Sequence, residues 1–139
     1  MTAENGYNRP LPTPGKLTAP YWEAAKNHEF KLQKCDECGH IWFPPAVCCP
    51  QCLSESFTWT AMSGRAQIWS WIDMWQMYYR GFADERPYTV AYVELEEGPR
   101  LMSSIVGLVG SELRVGMPLE VVFDDVTDEI TLPKFRSTE

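Results

Sequence analysis

Apolar and polar positions follow three different rhythms along this chain. Residues 1–17 follow none: Pro10, Pro12, Pro14 and Gly15 interrupt any period, which predicts an extended lead-in. From Ala19 to Asn27 the spacing is helical. Thr18 stands where an N-cap would, Pro20 falls in the first turn, and Ala24 and Ala25 are strong helix formers. Tyr21, Trp22 and Ala25 then lie near one face. A helix this short is unstable alone, so that face must pack on something, either its own domain or another chain. From Glu29 to Lys34 the period drops to two, predicting a strand, and Ile41–Trp42–Phe43 reads as a second strand stopped by Pro44 and Pro45.

Beyond Phe57 the period of two dominates. Alternating runs cover Phe57 to Met62, Arg65 to Trp75, Pro87 to Leu95, Arg100 to Val106, Pro118 to Phe123 and Glu129 to Leu132. Ser63–Gly64, Glu97–Gly98–Pro99, Gly116 and Asp124–Asp125 punctuate them as turns. Only Ser111–Gly116 has helical texture. From Arg65 onward this gives five strands with a short helical element before the fourth, the element order of an OB-type Greek-key barrel. An SH3-like barrel shares the texture. The predicted class is mostly β: a lead-in and short helix over 1–30, a small ribbon over 31–56, and a five-stranded barrel over 57–139.

The ribbon is predicted from cysteines. Cys35-Asp-Glu-Cys38-Gly and Cys49-Pro-Gln-Cys52 are two Cys-x-x-Cys turns separated by ten residues. Each such turn aims two sulfurs at one point, and four thiolates close a tetrahedral shell around Zn²⁺. A closed shell leaves no position for water or substrate, so the metal is structural. Gly39 suits a turn needing positive φ; Leu53 occupies the same place after the second pair. Cys49, and not its neighbour Cys48, keeps the two-residue spacing. Iron in a rubredoxin-like site and a disulfide pair are the alternatives.

Charge narrows the function. The net charge is −7, and residues 64–139 hold seven basic against thirteen acidic residues. No basic stripe is visible, which argues against a phosphate-backbone binder. No apolar run approaches the roughly 20 residues that span a bilayer, and Met1–Asn8 lacks the features of an export signal. The expected setting is cytoplasmic, with neither nucleic acid nor membrane as partner.

Two segments carry surplus aromatics. In Gln67–Trp75 a strict period of two places Trp69, Trp71, Asp73 and Trp75 on one face. The following loop holds Tyr78, Tyr79, Arg80, Phe82 and Arg86. These aromatics either cover the barrel or form a binding surface. Arg80 and Arg86 have Asp84 and Glu85 beside them as ready partners, or phosphate groups of a ligand. A catalytic set is not assembled: His28 and His40 stand apart from any nucleophile, and no phosphate-cradling glycine loop is present.

Several segments together carry a resemblance: Tyr21–Trp22, Leu32–Gly39, Phe43–Pro45, Cys49–Cys52, Ser63–Arg65, Pro87–Tyr88, Val93–Arg100 and Gly116–Phe123. In this order and spacing the chain resembles the acyl-CoA-associated zinc-ribbon/OB-fold family, formerly a domain of unknown function. Cys48 and Leu53 depart from its tidier pattern. The resemblance implies a helical segment, a rubredoxin-like ribbon and an OB barrel. It also implies an accessory subunit of a thiolase-fold enzyme, a thiolase, acetyltransferase or lipid-transfer-protein-like aldolase, that helps shape its acyl-CoA entrance. Catalytic residues would then belong to the partner, and Cys35, Cys38, Cys49 and Cys52 would hold one structural Zn²⁺. Partner or substrate contacts are expected at Tyr21, Trp22, Trp69, Trp71, Trp75, Tyr78, Tyr79, Arg80 and Phe82. A single-stranded nucleic-acid-binding OB protein and a small stand-alone CoA-ester enzyme are the rival functions.

Overall fold

In the computed structural model residues 7–139 are described; the first six residues of the lead-in lie outside them. Helix α1 runs Ala19–Lys26 with Pro20 in its first turn. Thr18 precedes it as expected but does not cap it. Its backbone is already helical, and its hydroxyl accepts the Gly15 N–H at 3.0 Å. After Asn27 the chain reverses through His28 at φ +58°.

Strands β1 (Lys31–Cys35), β2 (Ile41–Trp42) and β3 (Phe57–Ala61) form an antiparallel sheet in the order β2-β1-β3. β3 pairs along its whole length with β1, from Lys31 opposite Ala61 to Cys35 opposite Phe57. A second sheet holds β4 (Arg65–Met74), β5 (Tyr88–Leu95), β6 (Arg100–Ser103), β7 (Pro118–Asp125) and β8 (Thr131–Ser137). Its order is β6-β5-β4-β7-β8, and a 3-10 turn at Gly110–Glu112 stands before β7 as predicted. The sheet curls until its edges meet. Val106 N–H reaches Phe135 O at 2.8 Å, Phe135 N–H reaches Ser104 O at 3.0 Å, and Ile105 bridges Phe135 in parallel. That parallel closure between the third and fifth strands selects the OB arrangement over the SH3-like one.

One core joins both sheets. Phe30 and Leu32, at and before the start of β1, are buried with Ile68, Val93, Leu119 and Phe135 of the barrel. Phe30 meets Phe135 edge-on, ring centroids 6.1 Å apart. Tyr21 of α1 enters the same core. A smaller cluster, Cys35, Trp42 and Cys49 with Ala46 and Phe57, sits at the far end of β1. The ribbon thus has its root in the barrel and its tip around the cysteines. No helix among the described residues is long and apolar enough to cross a membrane.

Candidate functional site

The tip is built from two like turns. In the first, Cys35 N–H donates to His40 O at 2.8 Å and Gly39 N–H donates back to Cys35 O at 3.1 Å. In the second, Cys49 N–H donates to Ser54 O and Leu53 N–H to Cys49 O, at 2.9 and 2.8 Å. Gly39 takes φ +76° and Leu53 φ +67°, so both turns need the left-handed region but only the first has a glycine for it. The turns aim backbone donors at sulfur: Glu37 and Cys38 N–H lie 3.4 Å from Cys35 Sγ, and Gln51 N–H 3.4 Å from Cys49 Sγ.

The four sulfurs of Cys35, Cys38, Cys49 and Cys52 all lie within 4.8 Å of one another. Cys35 to Cys52 is 3.5 Å and Cys38 to Cys49 is 3.6 Å. Tetrahedral ligands at about 2.3 Å from one Zn²⁺ stand about 3.8 Å apart, so the cage fits such an ion. Cys48 is outside the group. The Cys38 N–H and then the Glu37 N–H hold the Cys35 thiol down at about 7, against its burial. At Cys52 the Ser54 N–H favours the thiolate, but the Cys35 sulfur, burial and the other two sulfurs outweigh it and push that thiol up to about 12. One thiolate forms readily here and the last resists, the electrostatics that a divalent cation at the centre reverses. The shell is filled by protein sulfur, so the site can clamp but offers no position for substrate.

Polar pins hold the turns. The Asp36 carboxylate accepts the Thr58 and Ser56 hydroxyls at 2.7 and 2.8 Å, tying the first knuckle to β3. Gln33, fully buried, pairs with Ala46 in both directions: its Nε2 donates to Ala46 O and its Oε1 accepts Ala46 N–H, each at 2.8 Å. This fixes the segment leading from β2 to the second knuckle. Sequence pattern had not singled out Gln33; between Leu32 and Lys34 it occupies a polar position of the alternation, which carries no signal of its burial.

The residues expected to touch a partner divide into two sets. Tyr21 is 7% exposed and its ring packs against Phe30 and Phe43, with centroids at 6.3 and 5.4 Å. Burial raises its phenol pKa above the ordinary value. Trp22 is half-buried, edge-on to Tyr21 at 5.0 Å. Both serve the core, so Tyr21 offers no outward surface and Trp22 little. The predicted tryptophan face is also corrected. A bulge between Ile68 and Ser70 adds Trp69 as an extra residue, which shifts the phase of β4. Ile68 and Trp71 therefore both pack on the core, while Trp69, Ser70 and Ile72 are exposed.

The second set is open. Trp69 stands edge-on to Tyr92 at 5.6 Å under the Arg100 guanidinium at 4.5 Å. Trp75, Tyr78 and Tyr79 are exposed at 66, 71 and 57%. Phe82 is half-buried, stacked on Tyr88 at 5.0 Å. Arg80 and Arg86 do not pair with Asp84 or Glu85. Arg9 takes Glu85 at 2.9 Å, donates to Gly81 O at 2.9 Å and lies over Phe82 at 5.1 Å. Tyr92 and Met102, opposite each other on β5 and β6, extend the exposed apolar face. Their outward places in the alternation were readable in sequence; the role of Arg9 was not.

Among the described residues the histidines are structural. His28 shares its Nε2 with both Asp125 oxygens at 3.0 Å and stacks on Phe123 at 5.1 Å. His40 stacks on Trp42 at 6.3 Å. Asp124 pairs with Lys134 at 2.7 Å.

Fold and site define a class: a rubredoxin-like ribbon clamped by four thiols and rooted in an OB barrel. Residues 22–58 match the ChsH2 rubredoxin-like zinc ribbon domain, and residues 59–124 match the ChsH2 C-terminal OB-fold domain. This chain belongs to that ChsH2/DUF35 family. A DUF35 domain-containing scaffold protein of Methanothermobacter thermautotrophicus is 36% identical over 69% of this chain and 72% of its own. A benzoylsuccinyl-CoA thiolase subunit, BbsA, of Thauera aromatica is 30% identical over 73% of this chain and 62% of its own. A probable enoyl-CoA hydratase alpha subunit of Thermomonospora curvata is 36% identical over 92% of this chain; the chain spans 40% of that relative's length. Among solved structures, the Ltp2–ChsH2(DUF35) aldolase contains a chain with TM-score 0.83 and 34% identity, over 93% of this chain and 100% of that one.

Proposed function

We propose that this chain is a non-catalytic accessory subunit of a thiolase-like acyl-CoA enzyme, a thiolase, acetyltransferase or lipid-transfer-protein-like aldolase. It stabilises that partner and helps shape its acyl-CoA site, with the acyl-CoA bound at or near the shared interface. The observation that carries this is membership of a family whose relatives are named as scaffold, thiolase subunit and aldolase component. The chain's own chemistry agrees. The four sulfurs converge on one point, both histidines are occupied by packing, and the largest exposed side chains gather along one face and its loop.

In this reading Cys35, Cys38, Cys49 and Cys52 hold one structural Zn²⁺ per chain. The ribbon at 31–56 is followed by β3, which pairs back onto β1, and then by the barrel strands from Arg65. Free thiols fit a reducing, cytoplasmic setting. Elemental analysis of purified protein is expected to give one zinc per chain; iron in its place would overturn the metal assignment.

The role is tested by assaying a thiolase-fold enzyme of the source organism with and without this chain. The expected result is that the pair turns over acyl-CoA, that this chain alone does not, and that the enzyme alone is less active or less stable. Turnover by this chain alone would overturn the proposal.

A further inference from the structure

We infer that the outer face of β4, β5 and β6, continued by the Trp75–Arg86 loop, is the surface that docks the thiolase-fold chain, and that the partner meets it with carboxylates around an apolar centre. This rests on the accessory role proposed above and names the surface that role would use.

Arginine pairing gives the first reason. The chain has seven arginines. Five are matched to carboxylates: Arg9 to Glu85, Arg65 to Glu96, Arg100 to Glu94, Arg114 to Glu139 and Arg136 to Glu120. The two that pair with no carboxylate among the described residues, Arg80 and Arg86, lie in one loop. Arg86 donates to the carbonyls of Ala83 and Trp75, at 3.4 Å, and Arg80 is exposed. In a chain of net charge −7 carboxylates are plentiful, so two arginines kept from them are poised for carboxylates from elsewhere.

Apolar exposure gives the second. Trp69, Ile72, Tyr92 and Met102 are exposed on the three strands, and Trp75 and Tyr78 carry the apolar stripe into the loop. Trp, Tyr and Arg are the residues that dominate interface energetics. The hollow between Ile72, Tyr92 and Met102 is shallow, about 180 Å³. That is below the range of an enclosed small-molecule site and suits the side chains of a protein.

The loop is also fixed in advance. Arg9 fastens it at Gly81, Phe82 and Glu85. Gly81 allows the approach: a Cβ there would stand 2.5 Å from Asn8 O. A loop ordered before binding loses less entropy on docking. Because the whole chain is acidic, its field does not steer an acidic partner inward. The arginines act at contact, so their loss shows in dissociation rate.

The test measures binding of this chain to an immobilised thiolase-fold enzyme of the source organism. Arg80→Glu combined with Arg86→Glu is expected to speed dissociation ~10-fold or more. Trp75→Ala with Tyr78→Ala is expected to weaken binding roughly 30-fold or more. Lys26→Glu, on α1, is expected to bind as the unchanged chain does. Variants that bind normally would overturn the surface but leave the accessory role standing. An unchanged chain that does not bind would overturn both. Loss of coenzyme A binding by the isolated chain in the arginine variant, with enzyme binding intact, would make this a small-molecule site and overturn the proposal. Should a variant lose its fold, a photo-crosslinking residue at position 78 of the otherwise unchanged chain decides. It is expected to capture the enzyme where one at position 26 does not; equal capture or none contradicts the surface.

Discussion

At the scale of single residues, the two knuckles differ in the side chain placed at positive φ. Gly39 and Leu53 both sit at positive φ, where a non-glycine residue pays roughly 1–2 kcal/mol. Leu53 is 71% exposed, so little packing would be lost with it. Leu53→Gly is expected to raise unfolding stability by about 0.5–1 kcal/mol after glycine's added chain entropy, read as a higher denaturant midpoint of the metal-loaded protein. Gln33 gives the opposite case. Gln33→Ala leaves the part-buried N–H and C=O of Ala46 without this partner and is expected to destabilise by about 1–3 kcal/mol in the same assay. Acid sensitivity also starts here. In the barrel, Arg100 holds Glu94 below its ordinary pKa, and Thr131 with His28 does so for Asp125. A depressed folded pKa stabilises fully above the unfolded value, near 4, and the contribution vanishes as pH falls through the folded value. Stability of chelated protein, freed of the thiolate contribution, is therefore expected to be flat from about pH 5 to 7 and to decline below about pH 4.

Elements show where sequence speaks and where it stops. Helix α1, the strands and the 3-10 turn before β7 were legible because period and punctuation are local properties. So was the four-cysteine cage, since two residues between ligands fix a turn. The Thr18 cap failed because Gly15 took its hydroxyl. The tryptophan face failed because one inserted residue at Trp69 shifts the alternation, and nothing in the period marks a bulge. The ion pairs of the Trp75–Arg86 loop failed because Arg9, 76 positions away, captures Glu85. Metal removal tests the element-level picture. Phe30 and Leu32 belong to the barrel core, whereas Cys35, Trp42 and Cys49 form the small tip. Chelation, or Cys38→Ser, is expected to open amides across 35–56 to hydrogen exchange while the barrel strands and the start of β1 stay protected. Uniform exchange would mean that ribbon and barrel unfold as one.

For the whole molecule, the parts fit a support rather than a catalyst. The cage is closed by protein sulfur, the barrel is stitched shut between β6 and β8, and five of the seven arginines are matched to carboxylates. One surface stands out: exposed tryptophan and tyrosine beside two arginines that pair with no carboxylate among the described residues. A chain arranged this way is completed by another chain. Mass measurement during size-exclusion chromatography of this protein mixed with a thiolase-fold enzyme of the source organism tests that claim most directly. The account predicts a single species heavier than either component and containing both. Separate elution of the two at their individual masses would contradict it.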